Sequence, residues 1–196
     1  MVKGCKTYVP VLKVPENADE VADLFRFFTK PDFELEQAKV GLGVTGEPRI
    51  HDDPRWRKIF TYEFPTGYVE RISLQIGGRD HRDAGRLNSI SIDYRSPIPA
   101  SLRRLERYFG AADIRIRKIP APLSGPVSMF TNLMPGQKEK EIASYSFDPA
   151  EPIAEGHLKG ALRVTCDHNN TDSKTVNSLD YTRKLEKNLK SDRDDA

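Results

Sequence analysis

The 196-residue sequence has few cysteines, no long apolar run and almost no net charge, and each shortage excludes a class of protein. Two cysteines, Cys5 and Cys166, allow one disulfide at most and form no metal-binding cluster. No run of about 18 apolar residues exists, so no membrane-spanning segment is expected. The 31 basic and 29 acidic residues nearly cancel to a net charge of +2, which disfavours a dedicated nucleic-acid binder.

The first residues, MVKGCKTYVP, lack the apolar core of a signal peptide. We therefore expect a soluble protein, cytoplasmic as the sequence stands, or periplasmic if a leader has been trimmed. The hydrophobic fraction of 37% is low, but the balanced charge argues against a disordered chain.

Two segments have apolar residues at helical spacing. Residues 17–30 begin with Asn17, a good N-cap, and have Glu20 at the capping-box position. Residues 99–110 end in Gly110, which can adopt the left-handed conformation that terminates a helix. The apolar stripes are Val21, Leu24, Phe25 and Phe28 in the first segment and Leu102, Leu105 and Phe109 in the second.

The second half of the chain repeats the pattern of the first half in the same order. After each helix comes an alternating segment, DFELE (32–36) or DIRIR (113–117), in which one face would be apolar. Further pairs of strand-like segments follow at offsets that drift by a few residues, as expected when loops change length after a duplication. These pairs are 57–64 with 140–147, 70–76 with 160–166, and 87–96 with 176–184.

The predicted fold is therefore α+β, a tandem duplication of an α-β-β-β-β unit with a helix on an antiparallel meander in each half. The halves are 1–97, with an added edge strand at 7–14, and 98–196, with a polar C-terminal tail. A pseudo-twofold axis would relate them. If it sets the first strands side by side, Glu34 and Glu36 would face Arg115 and Arg117; the alternative is two solvated strands that never meet.

No motif for a cofactor or a catalytic centre stands out. GLGVTG (41–46) fits a dinucleotide-binding pattern, but two prolines and no helical stripe follow it, so a loop is predicted rather than a nucleotide site. His51, His81 and His168 lie beside aspartates, which is the basis of an alternative hypothesis, a metal-dependent hydrolytic enzyme. Their spacing matches no known metal motif, and Cys166 is predicted to lie in the core.

Two long connections, 37–56 and 118–138, are the candidate working surfaces, because loops of this length are usually functional or contain further structure. Methionine and aromatic residues are enriched at protein interfaces. The expected function is a non-enzymatic protein-binding module, such as a bacterial inhibitor, immunity protein or envelope-associated adaptor, without cofactor; nucleic-acid binding is a second alternative. The predicted partner-binding residues are Trp56, Met129, Phe130, Leu133 and Met134, with Arg115 and Arg117 as charged anchors.

Overall fold

The computed structural model describes residues 13–53, 57–77, 86–120, 139–167 and 175–183, which form three helices and eight strands. None of the helices in these ranges is long and apolar enough to cross a bilayer. In chain order the elements are α1 Ala18–Phe28, α2 Leu35–Gly41, β1 Arg49–Asp53, β2 Arg57–Glu63, β3 Val69–Ile76, β4 Leu87–Pro99, α3 Leu102–Phe109, β5 Asp113–Pro120, β6 Glu139–Phe147, β7 Gly160–Asp167 and β8 Thr175–Arg183.

All eight strands belong to one antiparallel sheet with the order β1-β2-β3-β4-β8-β7-β6-β5. Each strand pairs with its neighbour in sequence except at the centre, where β4 pairs with β8. This central pair joins two four-stranded meanders, and among the described strands β1 and β5 form the two edges. The expectation of an α+β protein with an antiparallel sheet is confirmed.

One face of the sheet is apolar and is covered by the helices. Side chains on a strand alternate between its two faces, so every second residue contributes to this apolar face. Phe25 of α1 packs against Tyr181 of β8 and against Phe109 of α3, with ring centroids 6.3 and 4.9 Å apart. Burial on the strands follows the same alternation. The fully buried strand residues of this face include Ile72, Leu74, Ile90, Ile92, Leu162, Val164, Leu179 and Tyr181.

The two predicted helices are confirmed, with Asn17 as the N-cap of the first and Gly110 directly after the second. The side chain of Asn17 accepts hydrogen bonds from the amides of Asp19 and Glu20, as an N-cap should. The side chain of Glu20 accepts from the amide of Glu16 at 2.7 Å, which is one residue before the N-cap amide that the predicted capping box would use. Gly110 follows α3 with φ +86°, a backbone conformation that residues with a Cβ rarely adopt.

The predicted strand at 32–36 is wrong, because this segment leads into helix α2. Leu35, Ala38 and Leu42 follow helical spacing and lie on the inner side, with Ala38 and Leu42 buried. The amide of Glu34 donates to the side chain of Gln37 at 2.8 Å, which satisfies a backbone donor at the start of the helix. The first strand of this half is instead β1, inside the predicted connection 37–56.

The hypothesis that Glu34 and Glu36 face Arg115 and Arg117 is also wrong. Glu36 lies within α2 and forms an ion pair with Lys39 at 2.7 Å. Arg115 and Arg117 lie on the edge strand β5, opposite Ser144 and Ile142 of β6. The two meanders do form one sheet, but their last strands make the junction and their first strands lie at opposite edges.

Some predictions fall on residues that the structure does not describe. Most of the proposed N-terminal edge strand, 7–12, lies outside the described ranges, and residues 13 and 14 are not in a strand. The boundary proposed between residues 97 and 98 falls within β4, and the division into two domains stays a prediction. Cys166 is buried as predicted, whereas Cys5 lies outside the described residues.

The guanidinium of Arg183, at the end of β8, binds the backbone around the C-terminal end of α1. It donates to the carbonyls of Phe28, Lys30 and Phe33, each at 2.8 Å. The carbonyl of Phe28, the last residue of α1, has no partner within the helix, and those of Lys30 and Phe33 belong to the turn and loop that follow, so the planar set of donors of an arginine can bind all three. Burial lowers the pKa of Arg183 to about 10, and the side chain remains protonated at neutral pH.

Gly160 lies opposite Arg183 in the β7–β8 pair, directly under α1. A Cβ at this position would lie 3.0 Å from both Phe25 Cζ and Thr29 Cγ2. The amide of Leu158, just before β7, donates to the carbonyl of Thr29 at 2.8 Å. The missing side chain therefore lets the end of α1 approach β7 and β8 closely.

We predict that Arg183→Met lowers the free energy of unfolding by about 2–4 kcal/mol, because the buried contacts to the carbonyls of Phe28 and Phe33 and the part-buried contact to Lys30 are lost. Arg183→Lys should lose less, because it keeps the charge and one of the contacts. Urea unfolding followed by circular dichroism measures both variants. Wild-type stability of Arg183→Met would contradict the capping role.

We predict that Gly160→Val destabilises the protein by about 1–3 kcal/mol, because the added atoms overlap Phe25 and Thr29. Ala161→Val is the matched control, since Ala161 is the next residue on β7 and points to the opposite face of the sheet. The control should change stability by less than about 0.5 kcal/mol in the same thermal unfolding experiment. Equal effects of the two substitutions would show that close packing under α1 is not the cause.

Candidate functional site

The edge strand β5 is the candidate site, because within the described residues it pairs on one side only and its side chains are unusually exposed for a strand. The segment begins three residues after Gly110, which ends α3. Its sequence DIRIRKIP alternates β-branched and charged residues, a pattern that favours a strand over a helix. All eight residues, Asp113 to Pro120, pair with β6 on one side.

Ile114 and Ile116 lie on the helix side of the sheet but beyond the cover of the helices. They lie opposite Tyr145 and Ala143 of β6, which are on the apolar face. Nevertheless Ile114 is 55% exposed and Ile116 is 52% exposed. Two neighbouring aliphatic side chains at a sheet edge are therefore open to a partner.

The opposite face of β5 is charged. Asp113, Arg115 and Arg117 share this face, and all three are exposed. Arg115 Nε lies 3.5 Å from Asp113 Oδ2 in a solvent-exposed ion pair, which contributes little stability. Lys118, on the isoleucine side, lies 3.8 Å from Glu141 of β6. The strand thus presents more positive than negative charge beside the backbone edge that pairs with no other described strand.

The other edge strand, β1, is shorter and its charges are balanced. It has five residues, and its described charged side chains face partners on β2. Arg49 lies 3.6 Å from Glu63, and Lys58 lies 3.7 Å from Asp52. Ile50 is 52% exposed, but it is the only aliphatic residue of the strand. These differences make β5 the more favourable edge for an added strand.

The face of the sheet opposite the helices is rich in serine and threonine. At its centre Ser91 Oγ donates to Asp180 Oδ1 at 2.6 Å, across the β4–β8 pair. Arg71 Nη2 lies 2.6 Å from Asp93 Oδ2, and this hydrogen bond raises the pKa of Arg71. A shallow depression of about 360 Å³ lies on this face, lined among others by Ser89, Ser91, Ser146, Arg163, Asp180 and Thr182.

Chemically, this depression offers hydroxyl groups and charges of both signs. The Ser91–Asp180 pair is at the centre of the sheet, whereas the two described histidines are elsewhere: His51 on the edge strand β1 and His157 between β6 and β7. Within the described ranges, no group of three or more His, Cys, Asp or Glu residues could hold a metal ion. The hydrolase hypothesis is untested, because His81 and His168 lie outside those ranges.

Of the residues predicted to bind a partner, the structure describes only Arg115 and Arg117, and it places both on β5. Ile114 and Ile116 were not predicted as site residues, although they alternate with the arginines in the same strand. The alternation of isoleucine and arginine was visible in the sequence. The exposure of the isoleucines, however, depends on β5 lying at an edge of the sheet, which the sequence did not reveal. Trp56, Met129, Phe130, Leu133 and Met134 lie outside the described residues.

Comparison with protein-family models, curated proteins and solved structures returned no significant match to this chain.

We predict that the double variant Ile114→Thr, Ile116→Thr keeps wild-type stability within about 0.5 kcal/mol, because the side chains are half exposed and threonine also favours strands. Ile92→Thr is the buried control on β4 and should lose about 2–3 kcal/mol, since it places a hydroxyl in the core. Urea unfolding of the three proteins measures the difference. A large loss in the β5 variant would mean that these isoleucines serve the fold.

Proposed function

We propose that this protein is a non-enzymatic protein-binding module and that β5 is its docking strand. The observation that supports this most directly is the pair of half-exposed isoleucines on an edge strand of eight residues. A partner segment in extended conformation would add a ninth strand to the sheet. Its main-chain hydrogen bonds would provide affinity, and its alternating side chains would provide specificity.

The unpaired backbone of an edge strand favours this mode of binding. On its free side such a strand presents amide and carbonyl groups that only solvent satisfies, so it is a template for another strand. The charges on β5 also discourage unspecific association between edges. Docking should therefore be selective and depend on the side chains of the partner.

The connection 121–138 follows β5 directly in the sequence. The predicted interface residues Met129, Phe130, Leu133 and Met134 belong to it, so a partner on β5 would bind next to the point where this connection leaves the strand. We propose that this segment adds contacts to the same partner. An inhibitor, an immunity protein or an envelope-associated adaptor would fit this mode of binding.

We further propose that the two meanders arose by duplication of one unit and are related by a pseudo-twofold axis. The register of the central pair supports this: Ser91 lies opposite Asp180, and Asp93 lies opposite Ser178. An axis through the Ile92–Leu179 pair would exchange these two contacts. Helix α2, for which the described part of the second half has no counterpart, would be a later divergence.

A pull-down from the source organism tests the docking strand. We expect the Ile114→Thr, Ile116→Thr variant to retain about one tenth or less of the partner that the wild type retains. This corresponds to a loss of about 1.4 kcal/mol of binding free energy. Ile50→Thr is the matched control, because Ile50 is equally exposed on the other edge strand. Quantitative mass spectrometry of the bound proteins gives the ratio.

A folded β5 variant that retains its partners at the wild-type level would contradict the proposal. Phe130→Ala, Met134→Ala, measured in parallel, reports separately on the connection 121–138. Loss of partner in this variant alone would place the interface in the connection rather than on the strand.

A further inference from the structure

We infer that the strand added to β5 bears acidic side chains on alternate residues and aliphatic side chains between them. This inference rests on the proposed function and specifies the chemistry of the partner. It follows from how β5 divides its side chains between the two faces of the sheet.

The charged face of β5 favours acidic residues on the partner strand. Residues directly opposite each other in neighbouring strands point to the same face. A partner residue opposite Arg115 or Arg117 would therefore lie beside an exposed guanidinium. Within the described residues, the ion pairs of these two arginines are limited to the exposed contact of Arg115 with Asp113. Two carboxylates two positions apart on the partner would complete both pairs.

The other face of β5 selects the aliphatic residues. Ile114 and Ile116 point to the helix side, where Tyr145 and Ala143 of β6 are their nearest cross-strand neighbours. A partner strand would place its intervening residues on the outer side of these isoleucines and remove them from water. The alternation of the partner must match that of β5, because a slip of one residue would set its carboxylates against the isoleucines.

A second copy of this chain is a less suitable occupant. In an antiparallel pair of β5 strands, the register that sets Ile114 opposite Ile116 sets Arg115 against Arg115 at its centre and Asp113 against Arg117 on either side. Centring the pair on Ile116 sets Arg115 against Arg117 twice. Centring it on Ile114 gives favourable contacts between Asp113 and Arg115 but pairs only residues 113–115 within the strand. The registers centred on Arg115 and on Ile116 each oppose arginines, and the one centred on Ile114 is short, whereas a partner strand with two carboxylates opposes no like charges.

The inference can be tested with two synthetic hexapeptides, one alternating valine and glutamate and the other alternating valine and lysine. Each is titrated into the full isotope-labelled chain, and the backbone amide signals are followed by NMR. We expect the glutamate peptide to shift the amide signals of β5 and to bind at least tenfold more tightly than the lysine peptide. Added salt should reduce this preference, because the pairs are exposed.

Arg115→Glu, Arg117→Glu should reverse the preference in favour of the lysine peptide. Arg49→Glu on β1 is the matched control and should leave it unchanged, because Arg49 is an equally exposed arginine on the other edge. A reversal in the β5 variant alone would support the inference.

Equal binding of the two peptides, or no shift of β5 amides at millimolar concentration, would overturn the inferred partner chemistry. The proposed function would then be judged by the pull-down, which uses the natural partner. A dimer in sedimentation analysis that is lost in Arg115→Glu, Arg117→Glu would also overturn the inference, because it would identify a second copy as the occupant.

Discussion

The position of α1 on the sheet depends on the hydrogen bonds at its C-terminal end. Arg183 from the last described strand binds three carbonyls there, and Leu158 binds a fourth. These donors come from the second half of the chain, whereas the helix belongs to the first half. Together with the close approach over Gly160, they hold α1 on β7 and β8. A helix from the first half of the chain is thus held on strands of the second half, in addition to the contacts within the shared sheet.

The cover that the helices provide does not extend to the edge of the sheet. Val164 of β7 is fully buried, whereas Ile114, two strands further out on the same face, is half exposed. The same placement of helices that builds the core therefore leaves an apolar margin on β5. The same strand also bears arginines on the face of the sheet opposite the helices. The placement of the helices therefore determines both the core and the position of the candidate site.

The sequence predicted those elements whose periodicity matches their environment. Tyr181 and Leu179 alternate with polar residues because one face of β8 is buried, and α1 and α3 have clear apolar stripes. The prediction of a strand at 32–36 was wrong because FELE alternates apolar and charged residues as a strand does. The helical spacing of Leu35, Ala38 and Leu42 becomes visible only when residues beyond 36 are included. Which strand lies at an edge could not be predicted, since this depends on the pairing of β4 with β8, far apart in the chain. The exposure of Ile114 and Ile116 therefore emerged only with the fold.

The strand order also has a consequence for how the chain folds. Six of the seven strand pairs in the described part of the chain join neighbours in sequence, whereas Ser91 pairs with Asp180 across almost half of the chain. Closing so large a loop is entropically costly and slows folding, while hairpins form rapidly. The two meanders can therefore form early and separately. Their central strands, with apolar residues on one face, would remain exposed to aggregation until the β4–β8 seam closes.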